Sequence, residues 1–130
     1  MLQVTHLAAA ALLLQAPGVE SEPRSLFTCG VALPTAAEIE GYVRDNWLDF
    51  EDRLRPYPAV APERLQFARV TGAECRYRFA TPNCRFTLTG RRASGEEVSA
   101  MLETDFARDG EGRLAGEVIV IGPDPACRRG

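Results

Sequence analysis

The chain has 130 residues, which fits a single domain, and a globular composition in which 45% of residues are hydrophobic and 25% are charged. Its formal net charge of −3 argues against non-specific binding to nucleic acid or to an anionic membrane surface, which requires a clear positive excess. All 15 basic residues are arginine and the only histidine is His6, so the rest of the chain lacks the histidine of Ser–His and Cys–His catalysis and the lysine of Schiff-base catalysis. This favours a non-enzymatic protein without a cofactor.

Residues 1–21 have the pattern of a cleavable export signal. The apolar run Leu7–Leu14 is followed by Pro17, and small or tolerated residues precede two candidate cleavage sites. The alternative is a helix at the N-terminus of the folded protein. The run is too short to span a bilayer, which takes about 20 residues, so we expect no membrane-spanning segment in the mature chain. The arginine-only usage is typical of a GC-rich bacterial genome. Together with the export signal, it predicts that the protein is located in the bacterial periplasm or outside the cell.

Four cysteines, Cys29, Cys75, Cys84 and Cys127, follow the predicted signal. An even number of cysteines in a short exported chain is typical of a disulfide framework, so we expect two disulfides. The sequence has no Cys-x-x-Cys pair and no histidine beyond His6 to complete a mixed site. We therefore predict no metal centre.

We predict a connector over residues 22–34 and a single folded domain over residues 35–127. A helix begins after Thr35, because Thr35 and Glu38 have the spacing of a capping box, in which each side chain accepts a hydrogen bond from the other residue's backbone N–H. Pro56 ends the helix. Between these limits, apolar residues recur at steps of three and four and form one stripe, which consists of Ile39, Tyr42, Val43, Trp47, Phe50 and Leu54.

The remaining chain alternates like four strands joined by short turns. The first strand is predicted over residues 65–79, with an interruption at Gly72, and the last over residues 114–121. Turns are predicted at residues 80–83, 93–95 and 109–112. The predicted fold class is therefore α+β, with one N-terminal helix packed on a four-stranded antiparallel meander.

This architecture is similar to the cystatin-type and NTF2-like α+β rolls, and the similarity in layer arrangement spans most of the mature chain. No motif accompanies it. Where the protease-binding loop of cystatins has Gln-x-Val-x-Gly, residues 68–72 read Ala-Arg-Val-Thr-Gly and lack the glutamine. The resemblance therefore implies a fold and carries over no inhibitory residues.

Strand register follows from the rule that opposed residues share a face. Setting Leu88 opposite Ala100 keeps the apolar residues of the second and third strands together. The same register creates opposite-charge pairs on the other face, Arg85 with Glu103 and Arg91 with Glu97. These charge pairs are independent of the apolar pattern that defines the register, so they support the predicted meander.

The first hairpin determines which cysteines can meet. A four-residue turn at residues 80–83 puts Cys75 about 13 Å from Cys84 along the strand direction, beyond the roughly 7 Å between Cα atoms that a disulfide permits. We therefore favour the pairs Cys29–Cys84 and Cys75–Cys127. The alternative is a local Cys75–Cys84 bridge with Cys29–Cys127 joining the two ends of the domain.

The candidate binding residues are three arginines on the outer face of the predicted sheet, Arg76, Arg78 and Arg85. The predicted register sets Arg78 opposite Arg85, a like-charge pair that favours an anionic partner. The alternative is a solvated face on which nearby glutamates neutralise the arginines. We predict a protein-binding or inhibitory module that acts on an envelope or secreted protein through this face and an exposed edge strand.

Two other functions stay open at this point. A cleft between helix and sheet, lined by Trp47, Tyr77 and Phe86, would hold a small apolar ligand, although a filled core is the simpler interpretation of these residues. A carboxylate-based hydrolase would need two acids to converge, and the candidates are Asp45, Asp49, Asp52, Glu103 and Asp105. Solvated surface is the simpler interpretation of these acids, so the hydrolase is the least expected function.

Overall fold

The computed structural model describes residues 25–55, 63–125 and 127, and the predicted signal at residues 1–21 lies outside that part of the chain. The fold consists of α1 (Ala36–Asp45), α2 (Trp47–Leu54), β1 (Gln66–Arg78), β2 (Thr81–Arg91), β3 (Glu97–Arg108) and β4 (Leu114–Val118). The strands form one antiparallel sheet in the order β1-β2-β3-β4, so the predicted α+β class and meander are confirmed. The resemblance to cystatin-type and NTF2-like rolls stays a prediction. Within the described residues, no helix has both the length and the apolar character to cross a membrane.

The helical segment begins where the sequence predicts, but it consists of two helices rather than one. Thr35 and Glu38 form the expected capping box: the Glu38 N–H donates to Thr35 Oγ1 at 3.1 Å, and the Thr35 N–H donates to Glu38 Oε1 at 3.0 Å. The break lies at Asn46, whose side-chain amide donates to the Tyr42 carbonyl at 2.9 Å. Such a side-chain bond to the backbone competes with regular helix geometry, so the chain restarts as α2.

The core lies between the two helices and one face of the sheet. The Tyr42 ring meets Phe50 edge-on at 6.0 Å and Phe106 at 5.4 Å, and Phe50 lies 6.5 Å from Phe86. Burying each such side chain stabilises the fold by about 1.5–3 kcal/mol. The other buried apolar residues of this cluster are Ile39, Val43, Leu54, Leu65, Cys84 and Leu88.

The three residues suggested for a ligand cleft make three different contacts. Phe86 is only 1% exposed and belongs to the core. Trp47 donates its indole N–H to the Leu65 carbonyl at 2.9 Å, and the exposed Tyr77 donates its hydroxyl to the Val31 carbonyl at 2.7 Å. These side chains therefore hold parts of the fold together.

Of the two hairpin registers predicted, one is confirmed and one is wrong. Leu88 lies opposite Ala100 as expected, with both opposite-charge pairs in place. The β1–β2 turn, however, has two residues, Phe79 at φ 53° and Ala80 at φ 67°. Both lie in the left-handed region that a two-residue type I′ hairpin requires. Residues 81–83, which were expected to form the turn, are instead the first residues of β2.

The two disulfides are Cys75–Cys84, with Cα atoms 4.1 Å apart, and Cys29–Cys127, with Cα atoms 5.2 Å apart. The presence of two disulfides is confirmed. The favoured pairing of Cys29 with Cys84 and Cys75 with Cys127 is wrong, and the alternative is correct. The tight turn is the physical reason, because it sets Cys75 directly opposite Cys84.

Candidate functional site

The helix-free face of the sheet carries the three arginines predicted as a binding patch, but they have separate surroundings. Arg78 lies opposite Thr81 rather than Arg85, so the expected like-charge pair does not form. Instead, Arg78 Nη2 pairs with Asp105 Oδ2 at 2.7 Å and donates to the Val120 carbonyl at 3.0 Å. The Arg78 guanidinium is therefore engaged by groups of its own chain.

Arg76 and Arg85 are closer to the predicted role. They line a shallow concavity of about 150 Å³ with Glu74, Cys75 and Asn83. The Arg85 side chain is 58% exposed, and its Nε lies 3.4 Å from Glu103 Oε1, a long contact for an ion pair. Arg76 is exposed and has no ion-pair partner within the described residues. Glu74 also lines this concavity, so the surface is not uniformly positive.

Asp105 is buried at 6% exposure on the same face. Besides Arg78, its carboxylate accepts hydrogen bonds from Asn83 Nδ2 at 2.8 Å and from the Val120 N–H at 3.3 Å. The Val120 bond draws the chain after β4 away from the edge of β3 and across the outer face. Sequence reasoning suggested Asp105 as a catalytic acid; its contacts make it a structural anchor.

The acidic candidates do not form a free catalytic pair. Asp45, Asp49 and Asp52 are exposed on the helices. Glu103 and Asp105 line one cavity of about 370 Å³ with Glu117. An arginine engages each of these three carboxylates: Arg85 pairs with Glu103, Arg78 with Asp105 and Arg53 with Glu117. The geometry therefore gives the hydrolase no support.

Glu51 is a buried carboxylate that helical periodicity does not reveal, because its burial depends on contacts with residues outside α2. It is 1% exposed and accepts hydrogen bonds from the Leu65 N–H at 2.6 Å and from Arg64 Nη1 at 2.8 Å, with Arg55 Nη2 at 3.1 Å. Burial raises the pKa of Glu51, but the Leu65 N–H and the two guanidiniums outweigh burial and hold it below its ordinary value. Glu51 thus joins the end of α2 to the start of β1.

Arg108 forms a second structural joint, beside an apolar groove of about 560 Å³ that includes Phe27 and Val31. Arg108 is 7% exposed, and its guanidinium donates to Glu38 and to three backbone carbonyls, those of Ala32, Leu33 and Gly112. All five of its N–H groups are thereby used. The guanidinium therefore has no donor left for a ligand in the groove.

The two outer edges of the sheet differ in regularity. Along the β1 edge, the register shifts twice, between Phe67 and Arg69 and between Thr71 and Glu74. β3 pairs with β2 without interruption over residues 97–105, whereas β4 pairs with β3 only over residues 105–108. Within the described residues, the side of β3 turned away from β2 therefore has no strand partner over residues 97–104. We call this stretch the open edge.

The backbone groups of the open edge have a defined direction. Arg108 exchanges two hydrogen bonds with Phe27, at 2.8 and 2.9 Å, and Phe27 lies on the β2 side because β4 occupies the other. At the far end of β3, the Glu96 carbonyl accepts from the Arg92 N–H, which is also on the β2 side. Backbone groups alternate in direction along a strand. Even-numbered residues therefore bond to β2, and the groups that point outward belong to Glu97, Ser99, Met101 and Glu103.

Apolar side chains line both faces of the open edge. On the helix side, Val98, Ala100 and Leu102 are half-buried and pack against the core. On the outer side, Met101 is 73% exposed. A strand placed beside β3 would cover apolar surface as well as unpaired backbone groups.

The cavity of about 370 Å³ that Glu103 and Asp105 line is a groove at the point where β4 leaves the edge of β3. Glu103 and Thr104 of β3 lie on one side of it, and Val118, Ile119 and Val120 lie on the other. Ile119 is 92% exposed. The sequence predicted the last strand over residues 114–121, which would have covered more of β3; β4 instead ends at Val118, and this earlier end creates the groove.

Fold and site together define a class of protein: a disulfide-cross-linked α+β domain whose sheet is covered by helices on one face and offers an open edge at its third strand. Comparison of the chain with models of protein families, with curated proteins and with solved structures gives no match in any of the three.

Proposed function

We propose that this protein is a binding module that takes up an extended segment of another protein as an additional strand beside β3. The observation that carries the proposal is the open edge: an uninterrupted strand whose outward backbone groups, at Glu97, Ser99, Met101 and Glu103, recur at every second residue. An extended polypeptide presents N–H and C=O groups at the same spacing, which is the basis of recognition by strand addition.

The other edge of the sheet is a poorer template. Each register shift in β1 leaves a residue unpaired and bends the strand, and Gly72 at φ 64° lies within the second shift. Bulges of this kind are a common way to protect an edge from pairing with another chain. The open edge of β3 has no bulge over residues 97–105, and this contrast supports a role in binding.

The proposed partner is an envelope or secreted protein. Two disulfides are typical of proteins that fold in an oxidising compartment, and the export signal predicted at residues 1–21 would bring the chain there. The three arginines predicted as binding residues contribute to this proposal in different ways. Arg85 lies one strand in from the open edge, beside Glu103, whereas Arg76 extends the same face on β1. Arg78 contributes by anchoring Asp105.

A displayed library of linear peptides, panned on the full disulfide-bonded chain, tests this function with one matched pair of variants. Met101→Pro removes an outward N–H, and proline is tolerated on an edge strand where the N–H faces solvent. Met101→Thr changes the same side chain and keeps the N–H. We expect selected peptides to bind the wild-type protein and Met101→Thr and to lose binding to Met101→Pro. Circular dichroism must show that Met101→Pro has the fold of the wild-type protein, so that a loss of binding is not caused by unfolding. Peptides that bind all three proteins equally would overturn the proposal.

A further inference from the structure

We infer that the segment bound at the open edge belongs to a different protein, not to a second copy of this chain, and that it carries apolar side chains at alternate positions facing Val98, Ala100 and Leu102. This inference rests on the proposed function and adds the chemistry of the bound segment. Two observations support it: the surroundings of the two faces of β3, and the charges at the two ends of the open edge.

The helix side of the edge determines the apolar positions. Every second side chain of an added strand would project to this side, beside Val98, Ala100 and Leu102, which already pack against the core. A polar side chain there would lose water among apolar neighbours without gaining a hydrogen bond, which is costly. An apolar side chain would instead extend the hydrophobic core outward.

The outer side determines which charges are tolerated. Glu97 lies near one end of the open edge, where Arg69 at 2.6 Å and Arg91 at 3.1 Å hold it, and Glu103 lies near the other end. An acidic residue directly opposite either glutamate would make a like-charge cross-strand pair, which is destabilising. The exposed Met101 side chain lies between them and favours an uncharged residue opposite it. The outer positions of the segment are therefore basic or neutral.

The same charges disfavour a second copy of this chain. Antiparallel self-pairing along the whole open edge would centre on Ala100 and set Glu97 of each copy opposite Glu103 of the other. A shift toward the groove would set Glu97 opposite Asp105, where Val118 of β4 already pairs. A shift in the other direction would drive the strand into the turn at residues 92–96. Each of these three antiparallel registers therefore meets a charge or steric conflict.

Fluorescence anisotropy with labelled synthetic heptapeptides tests the inference. The probe is acetyl-Arg-Val-Thr-Val-Thr-Val-Arg-amide, whose pattern is the same in both chain directions and places all three valines on one face. The composition-matched control is acetyl-Arg-Thr-Val-Val-Val-Thr-Arg-amide, which exchanges valine for threonine at two helix-side positions. The third peptide replaces both terminal arginines of the probe with glutamate. We expect the probe to bind at least about tenfold more tightly than either control, because two apolar contacts or two charge relationships are changed.

Two further measurements separate failure of the inference from failure of the proposed function. In an antiparallel complex the two threonines of the probe lie opposite Ser99 and Met101 and donate to β3, so N-methylation of both removes these donors. Met101→Pro removes a donor of β3, and both changes should abolish binding. If both do so but the three peptides bind equally, strand addition stands and the inferred side-chain chemistry is overturned. If the probe does not bind, or binds regardless of both changes, both proposals are wrong. A dimer in sedimentation velocity that Met101→Pro dissociates would overturn the inferred foreign partner alone.

Discussion

Cys75 and Cys84 lie directly opposite each other on β1 and β2, and their disulfide joins two strands that are already hydrogen-bonded neighbours. The bridge is therefore local, with a sequence separation of 9 residues, whereas Cys29–Cys127 spans 98. The two bridges restrict the unfolded chain to very different extents, because the entropy lost on closing a loop grows with its length.

Removal of each disulfide should therefore have a different cost. In the chain-entropy relation, the Cys29→Ala/Cys127→Ala pair should lose about 4.7 kcal/mol of unfolding free energy, and the Cys75→Ala/Cys84→Ala pair about 2.6 kcal/mol. Urea denaturation of both double variants and of the oxidised wild-type protein measures the difference. A larger loss for the local bridge would show that its contribution is packing in the folded state rather than restriction of the unfolded chain.

Glu51→Gln should destabilise the fold by about 3 kcal/mol, because it removes the charged partner of a buried ion-pair network. The effect lies at the low end for such networks, since the Arg64 side chain is 69% exposed and can turn to water. Glu40→Gln is the control: its pair with Arg44, at 3.4 Å, is exposed, and its loss should change stability by less than about 0.5 kcal/mol. Equal unfolding free energies for the two variants would contradict the structural role of Glu51.

Stability should fall in acid partly through Glu38. The guanidinium of Arg108, with help from the Thr35 N–H, lowers the pKa of Glu38 from 4.5 to about 2 against the opposing effect of burial. A carboxyl with a lowered pKa in the folded state stabilises it fully above the unfolded value, and that contribution is lost as pH falls from about 4.5 toward 2. Glu38→Gln should reduce stability at neutral pH and flatten this loss.

Urea midpoints measured across the acid range would show the effect, with Glu40→Gln as the matched substitution on the same helix. Arg69 and Arg91 lower the pKa of the Glu97 carboxyl to about 2 as well, so Glu97 also contributes to the acid slope. Glu40→Gln leaves both Glu38 and Glu97 in place and should retain the slope of the wild-type protein. Identical slopes for Glu38→Gln and the wild-type protein would rule out the Arg108–Glu38 pair as a source of the pH dependence.

Amide hydrogen exchange should alternate along β3 in the protein without a partner. The N–H groups of Val98, Ala100 and Leu102 bond to β2 and should exchange at least about tenfold more slowly than those of Ser99 and Met101, which point outward. Residue-resolved exchange by NMR measures this directly. Protection of Ser99 and Met101 equal to that of their neighbours would mean that another part of the chain covers the open edge.

The β1–β2 turn should accept a stabilising substitution. Phe79 and Ala80 both have positive φ, a conformation that costs residues other than glycine and asparagine about 1 kcal/mol each. Phe79→Asn/Ala80→Gly supplies the residues that this turn type prefers and should raise the unfolding free energy by about 1 kcal/mol in thermal or urea denaturation. Ala93→Gly, at an exposed loop position outside the residues with positive φ, should give no gain.

Local chemistry explains which parts of the fold were predictable. The capping box of Thr35 and Glu38 and the charge pairs across β2 and β3 act between residues whose spacing is visible in the sequence. The β1–β2 turn was missed because Phe79 and Ala80 lack the usual glycine or asparagine, while Pro82 favoured a turn at residues 80–83, whose centre lies two residues too late. That single shift in register also produced the wrong disulfide pairing.

The candidate site was harder to predict because it depends on where strands stop. Apolar residues continue to Ile121, so periodicity extends the last strand beyond Val118 and conceals the open edge. The actual end follows from Asp105, whose side chain takes the Val120 N–H that a longer ladder would have used. Glu51 was missed for a similar reason, since its burial depends on Leu65, which is distant in sequence. Tertiary hydrogen bonds of this kind leave no periodic signal.

The Cys29–Cys127 bridge turns nearly the whole domain into a covalent ring. A protease that cuts once between these two positions would produce two polypeptides that remain one molecule until a reductant separates them. Such a nick would add the mass of one water and leave the domain in one piece, so cleavage would become visible only on a reducing gel.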